Sequence, residues 1–598
     1  MKSDLTEQQK QDLHRRAVAL GEAAGEMTGY PSKDKPWLKY YDNEAISAPL
    51  PEGTMFEMVY KNNKDHLNNT AINYYGRKIT YGALFDAIEQ ASKSFYALGV
   101  RAGEIVVVCS VNTPETVYAI YALNRLGAIV NMVDPRANAE GVHKYITESN
   151  THFVVTIELA YPLIIKAAEG TDVQRIISVS ASDSLPQPLK LLYRMKNKPP
   201  KLGEKGITWN QFISMGNDIE PQYSSYNKDQ YCVIAHTGGT TGEPKGVMLS
   251  NDNINAVMHG YCYIGIPFER GHRYFNDLPP FIMYGLCLAT HTTLCYGLEV
   301  ILYPVFDSKA FPKQFAKYRP HHFSALPDHL KYMSEDKATE NLDLGYFITA
   351  AVGGDLVSQE LEILCNDYLH RQNCKYSVTK GYGMTELAAT ACTSTPKANA
   401  IGSVGIPLIA NTVKTVDTDS MQELPYNQTG EIWISGPSIM LGYYKKPKET
   451  DDMIITDENG VRWIRTGDLG HITEDGLLFH EGRIRRIYLT SYEGQPAKIF
   501  PMLVEEKIKQ CDSVFDCVVV ARLRKNSANY EAIAFIILKN GKIASDGIKE
   551  SVEIACHQGT PSYMWPVEYR FVTGFPHTPI GKVDFRALEK EAAKTLNA

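Results

Sequence analysis

"EIVVVCSVNTPETVYAIYALNRLGAIVNMV", Glu104 to Val133, decides the fold class. Its first apolar run, from Ile105 to Cys109, has the β-branched texture of a strand buried on both faces. The following "NTPE" is a helix start, with Thr113 as cap and Pro114 at the first helical position, where a missing N–H costs nothing. The helix runs towards Gly127, a residue suited to the left-handed backbone that ends a helix, and "AIVNMV" begins a second strand. Strand, helix and strand in this span form a β-α-β unit with parallel strands. A helix over Thr80–Leu98 precedes it, "FVVTI" from Phe153 and "RIISV" from Arg175 extend the alternation, and similar runs return at Leu294–Tyr303 and Phe323–Ala325. The first half thus reads as a largely parallel sheet covered by helices, in the α/β class.

The 598 residues suffice for about four domains or subdomains. Hydrophobic content of 44% and charged content of 22% are those of an ordinary globular protein, and a net charge of −7 offers no general attraction to nucleic acid. Eleven cysteines lie scattered without a Cys-x-x-Cys pair, which disfavours a disulfide framework or zinc cluster and leads us to expect a reducing cytoplasm. The opening "MKSDLTEQQKQDLHRRAVAL" is too polar for a secretory signal. No run reaches the roughly 18 apolar residues of a spanning helix, so a soluble or at most peripheral protein is expected.

Two compositional breaks divide the chain. "SLPQPLKLLYRMKNKPPKLGEKG", Ser184–Gly206, is rich in proline and lysine with an apolar patch inside. It reads as a solvated loop, with a basic segment touching anionic membrane as the alternative. After about Gly482, strand-like "VFDCVVVARL" and "EAIAFIIL", helical "GIKESVEIACHQ", strand-like "VEYRFV" and helical "ALEKEAAKTL" suggest a compact α+β unit. The expected division is a large α/β domain of mostly parallel sheets over residues 1–485 and a small, mobile α+β domain over 486–598.

"HTGGTTGEPKGVMLS", His236–Ser250, combines glycines, paired threonines and one lysine, a composition that lets backbone N–H groups approach phosphate. It is not a P-loop, because Lys245 follows Pro244 and precedes Gly246 instead of forming the Gly-Lys-Ser/Thr order. It closely resembles the phosphate loop of the adenylate-forming superfamily, which includes acyl-CoA synthetases, nonribosomal adenylation domains and luciferases. Thr237, Gly239, Thr240, Thr241, Gly242, Pro244, Lys245 and Gly246 match that loop, and Gly238 replaces its serine.

Further motifs follow in the family's order. "GYGMTE", Gly381–Glu386, matches the adenine-and-metal motif. The resemblance implies that Gly381, Tyr382, Gly383 and Met384 surround adenine, with Tyr382 stacked on it, that Thr385 binds phosphate, and that Glu386 holds Mg²⁺. "VGGD", with Gly353, Gly354 and Asp355, is a turn when taken alone; in the family it presents backbone to adenine. "RTGDLG" carries Asp468, whose two oxygens suit the ribose hydroxyls, and Arg483 opens the hinge region. "FPHTPIGKVDFRALE", Phe575–Glu589, reproduces the C-terminal signature with Lys582 at the catalytic position.

The implied chemistry is attack of a carboxylate on the α-phosphate of ATP, with loss of pyrophosphate and formation of acyl-AMP. Both reactants are anionic, so positioning and charge neutralisation dominate. The catalytic residues implied are Lys582, Lys245, Thr385 and Glu386, the cofactors ATP, Mg²⁺ and CoA. The expected activity is that of an acid–thiol ligase making acyl-CoA; loading of an acyl carrier protein, or nucleotide binding without catalysis, are the alternatives.

Two stretches depart from the family pattern. In "GRIRRIYLTSYEGQPAKIFPMLVEE", Gly482–Glu506, Arg486 stands at the hinge position usually held by Asp or Lys, the glycine pair is absent, and the run to Pro501 is about four residues longer than usual. "LPPFIMYG", Leu278–Gly285, replaces the family's aromatic or histidine gate with Ile282; Phe281, Ile282, Tyr284 and Gly285 either line an acyl or aryl pocket or belong to a buried core helix. Between Phe281 and Leu288 there is no Asp to pair with an ammonium, which disfavours an amino-acid substrate.

Overall fold

The computed structural model describes residues 27–237, 244–486, 488–493, 495–525, 527, 529–539, 541–577 and 583–594. The Ile105–Cys109 and Ile129–Met132 strands pair in parallel on either side of the Pro114–Arg125 helix. Thr113 caps that helix by accepting the Thr116 N–H at 3.2 Å. These strands lie in an eight-stranded sheet ordered Gly442–Tyr443, Gly246–Ser250, Tyr231–His236, Ile129–Met132, Ile105–Cys109, Phe153–Ile157, Arg175–Val179 and Gly206–Thr208. Every residue of Ile105–Cys109, Ile129–Met132 and Phe153–Ile157 is buried, as a sheet covered on both faces requires.

The alternation is divided between two sheets rather than one. The Thr70–Tyr74 and Arg77–Thr80 hairpin joins a nine-stranded sheet, where Thr70–Tyr74 runs parallel to Glu299–Leu302. That partner lies more than two hundred residues away, so local pattern carries no record of it. The same sheet holds Thr349–Val352 and Thr379–Tyr382, and its Glu299–Leu302 and His322–Ala325 strands fall within and over the two later runs read from the sequence. A five-stranded antiparallel sheet includes Gly430–Ser435, Arg462–Ile472 and Leu478–Arg483.

Ser184–Gly206 is not a plain loop: Gln187–Lys196 is helical and none of its residues is buried. The proline-rich flanks suggested a loop, but Pro188 sits in the helix's first turn, where proline is tolerated.

The last hundred or so residues form a separate core. Val514–Leu523 pairs antiparallel with Tyr530–Leu538, which pairs parallel with Glu568–Val572. Cys517 and Val519 pack on one side against Val504 and Val552, while Val518 and Val520 pack on the other against Leu588 and Ala592. This period of two, with both faces covered, explains the unbroken apolar run in the sequence. The stretch before Pro501 is a β-hairpin, Tyr488–Tyr492 against Gln495–Ile499.

Candidate active site

Strand ends of three sheets meet at the site. Thr379–Tyr382 carries Gly381 and Tyr382 and is fixed by a buried ion pair between Lys380 and Glu362; Lys380 also donates to the Ala400 carbonyl at 2.8 Å. Tyr382 donates its hydroxyl to Asp468 Oδ2 at 2.8 Å, and the His480 ring lies 5.5 Å from the Tyr382 ring. Asp468 and Arg483 are register partners on neighbouring strands, which puts Arg483 Nε 3.1 Å from Asp468 Oδ1. Oδ1 faces Arg483 out of line and accepts no hydrogen bond among the described residues, although Asp468 is only 3% exposed. Burial alone would raise the Asp468 carboxyl; the His480 ring, the Arg483 guanidinium and the Tyr382 hydroxyl outweigh it and hold the group below its ordinary value. Asp468 in turn raises the Arg483 guanidinium against its own partial burial.

Thr237 and Lys245 close the neck of the glycine- and threonine-rich loop. The Lys245 N–H donates to Thr237 Oγ1 at 3.0 Å, and the Thr237 N–H donates to the Lys245 carbonyl at 3.0 Å. Gly238, Gly239, Thr240, Thr241 and Gly242 lie outside the described residues, as does Lys582. Lys245 Nζ sits 4.2 Å from the centre of the Tyr443 ring, and the Tyr443 hydroxyl donates to Glu386 Oε1 at 2.7 Å. One buried tyrosine therefore joins the lysine to the carboxylate. His236, ahead of the loop, packs its ring 3.9 Å from Tyr145 and contacts Asn131 Oδ1 through Nε2 at 2.8 Å; burial pushes it down to about 3, so it is neutral at physiological pH.

Thr385 and Glu386 open a short 3₁₀ turn after Met384. Glu386 is 6% exposed, and among the described residues no group of three or more His, Cys, Asp or Glu side chains could form an all-protein metal cage. A lone buried carboxylate is what Mg²⁺ uses when substrate phosphates complete its shell, so Glu386 fits that ion. Gly383 has a steric reason to be glycine, since a Cβ there would lie 2.0 Å from the Ala389 carbonyl oxygen.

The stretch from Phe281 to Thr292 is largely buried, as either a core helix or the wall of an acyl pocket would be. Tyr284–Thr292 is a π-helix, buried from Gly285 through Thr292, and a Cβ on Gly285 would meet the Pro279 carbonyl at 2.3 Å. Phe281 is buried, whereas Ile282 and Tyr284 are half-buried. Tyr284 donates to the Ala351 carbonyl at 3.3 Å and flanks Gly353 and Gly354, so this stretch abuts the loop carrying Asp355. Arg486 makes its contacts among the C-terminal elements rather than with Tyr382 and Asp468. It pairs with Glu505, donates to the Val519 carbonyl at 3.0 Å and stacks 4.2 Å from the Phe585 ring.

Tyr443 and His480 escaped the sequence reading. Neither belongs to a motif used there, and Tyr443 reaches the site only because Gly442–Tyr443 pairs with Val247 and Met248, just after the phosphate loop.

The family profile described as "AMP-binding enzyme" matches residues 59–444. The chain belongs to the AMP-binding enzyme family. This AMP-binding enzyme is 28% identical over 574 residues to a long-chain-fatty-acid–CoA ligase of Bacillus subtilis (strain 168), covering 93% of this chain and 98% of that one. It is 26% identical to 4-coumarate–CoA ligase-like 8 of Arabidopsis thaliana, over 87% and 88% of the two chains. Among solved structures it shares its fold with ATP-bound MatB from Rhodopseudomonas palustris, at TM-score 0.77 and 19% identity over 90% of this chain and 99% of that one. The anthranilate CoA ligase AuaEII in complex with anthranoyl-AMP gives TM-score 0.76 and 20% identity over 92% and 99%.

Proposed function

We propose that the chain is an AMP-forming acid–thiol ligase that activates a hydrophobic carboxylic acid, fatty or aryl, with ATP and passes the acyl group from acyl-AMP to CoA. The observation that carries this reading is the Lys245–Tyr443–Glu386 link beside the buried Tyr382–Asp468–Arg483 cluster. We read Lys245 as the cation for phosphate, Glu386 as the carboxylate for Mg²⁺ and Asp468 as the carboxylate for ribose, the set of groups that binding a nucleoside triphosphate calls for.

In this assignment Asp468 accepts from the ribose through Oδ1, Tyr382 stacks on adenine, and the backbone of Gly353, Gly354 and Asp355 borders the base. Lys245, with Thr237 and the loop from Gly238 to Gly242, steadies the departing pyrophosphate, and Thr385 binds phosphate. Lys582 neutralises charge growing between the carboxylate and the α-phosphate. Mg²⁺ held by Glu386 would supply charge neutralisation on the phosphates. Phe281, Ile282, Tyr284 and Gly285 are assigned to the acyl pocket, with Tyr284 lying against Gly353 and Gly354. We assign residues 1–485 to a large domain and 486–598 to a small domain that turns about Arg486, and the enzyme to the cytoplasm. Among the described residues no helix is long and apolar enough to cross a membrane.

The test is pyrophosphate release across fatty, aryl and amino acids, with and without CoA, followed by mass spectrometry of the products. Acid-dependent release with a CoA thioester as product supports the reading; no release with any acid overturns it in favour of a binding protein. Lys582→Ala should abolish release while leaving ATP binding largely intact. The Tyr488–Ile499 hairpin, standing where the family has a short glycine-rich turn, favours a carrier-protein thiol as second acceptor. Accumulation of acyl-AMP indifferent to CoA would select it.

A further inference from the structure

The Gln187–Lys196 helix turns its apolar side to water. Polar groups hold it to the body: Lys190 Nζ donates to the Asp183 carbonyl at 2.9 Å, and the Tyr193 hydroxyl donates to Glu158 at 2.7 Å. At ~100° per residue, Leu191, Leu192 and Met195 project on the opposite side, and they are 64%, 49% and 76% exposed. Leu159, beside the Glu158 that anchors Tyr193, is 71% exposed. A surface helix ordinarily buries its apolar stripe, and large apolar side chains clustered in water mark an interaction surface.

Charge identifies the partner. Arg194 and Lys196 flank the apolar strip on its two sides, and Lys198, Lys201 and Lys205 follow. Ser184–Gly206 holds six basic residues against one acidic, a local charge of +5 in a chain of −7. A second copy of the chain would set this basic segment against itself, so self-pairing is disfavoured. We propose that the helix docks on an anionic lipid surface, with Leu191, Leu192 and Met195 in the acyl boundary and Arg194, Lys196 and Lys198 on lipid phosphates. This goes beyond the ligase reading and does not depend on it.

Co-sedimentation of the full chain with vesicles tests it, using phosphatidylcholine alone and phosphatidylcholine with phosphatidylglycerol, at low and high salt. The chain should sediment with the anionic vesicles at low salt and less at high salt. Lys196→Gln with Lys198→Gln should weaken partitioning by about thirtyfold, and Leu191→Ser with Met195→Ser should abolish it. All four side chains face water, so folding and acid-dependent pyrophosphate release should persist in both variants. No binding of the unaltered chain to anionic vesicles overturns the proposal, as does binding that both variants retain. A dimer in sedimentation velocity that Leu191→Ser with Met195→Ser dissociates, without vesicle binding, overturns it in favour of self-association.

Discussion

Replacing Asp468 by Asn preserves the shape of the side chain and removes its charge. The amide oxygen still accepts from Tyr382 across 2.8 Å, but as a neutral group, which costs about 1–2 kcal/mol relative to a charge-assisted bond. The contact with Arg483 adds at most ~1 kcal/mol, because that side chain is 53% exposed and water screens it. The ribose hydroxyl would exchange a carboxylate acceptor for an amide, another ~1.5–2 kcal/mol, or a rise of about 10–30-fold in KM for ATP. The proton linkage has a definite sign. Asp468 titrates below its ordinary value in the folded chain, so its stabilisation is complete above the unfolded value, ~3.9, and is lost as pH falls through the lower folded value. Urea midpoints should therefore favour the unaltered chain over Asp468→Asn at pH 7, with the gap closing only in strong acid. A KM for ATP within twofold of the unaltered enzyme, or a stability gap that widens on acidification, would refute the ribose and ion-pair assignments.

Tyr443→Phe keeps the ring beneath Lys245 and removes the bond to Glu386, so the Mg²⁺ concentration for half-maximal pyrophosphate release should rise about tenfold; Tyr443→Ala should slow turnover a further few-fold. Equal effects of the two changes would show that the ring beneath Lys245 does not matter, and an unaltered Mg²⁺ requirement in Tyr443→Phe would show that the hydroxyl does not. Gly383→Ala should cost about 1–3 kcal/mol in urea unfolding and abolish ATP binding, since its Cβ meets backbone at 2.0 Å. Glu115 is 3% exposed and burial pushes it up to about 7, so its protonated form stabilises the fold and that support is lost as pH rises towards and past 7. Glu115→Gln should hence be more stable than the unaltered chain at pH 8.5, by up to about 3 kcal/mol, and similar to it near pH 4, as urea midpoints at the two pH values would show. Arg486→Ala leaves the buried Glu505 carboxylate without its cation, so hydrogen exchange should accelerate in Pro501–Lys509 and Val514–Leu523 while the large sheets keep their protection.

The residues that touch the nucleotide in this reading stand in short motifs, where backbone approach and charge must be supplied locally. Gly381–Glu386 and the Thr237–Lys245 neck were therefore legible in one dimension, as were the Ile105–Met132 strands and helix, whose burial dictates their composition. Asp468 was legible as a residue, but not the company of His480 and Arg483 that lowers its carboxyl, because that depends on register between two strands. Tyr443 was invisible for the same reason. The sequence also left open whether Tyr284–Thr292 is core or pocket, since an apolar run looks alike in both, and it made a loop of Gln187–Lys196, whose apolar residues suggest burial that does not occur. Sequence by itself determined the α/β class, the order of the motifs and the chemistry they can hold. Tertiary structure alone decided which sheet each strand joins, that one tyrosine ties Lys245 to Glu386, and that Leu191, Leu192 and Met195 face water. Those facts rest on contacts between residues far apart in the chain, and on which face of an element is covered, and neither is encoded in any local run of residues.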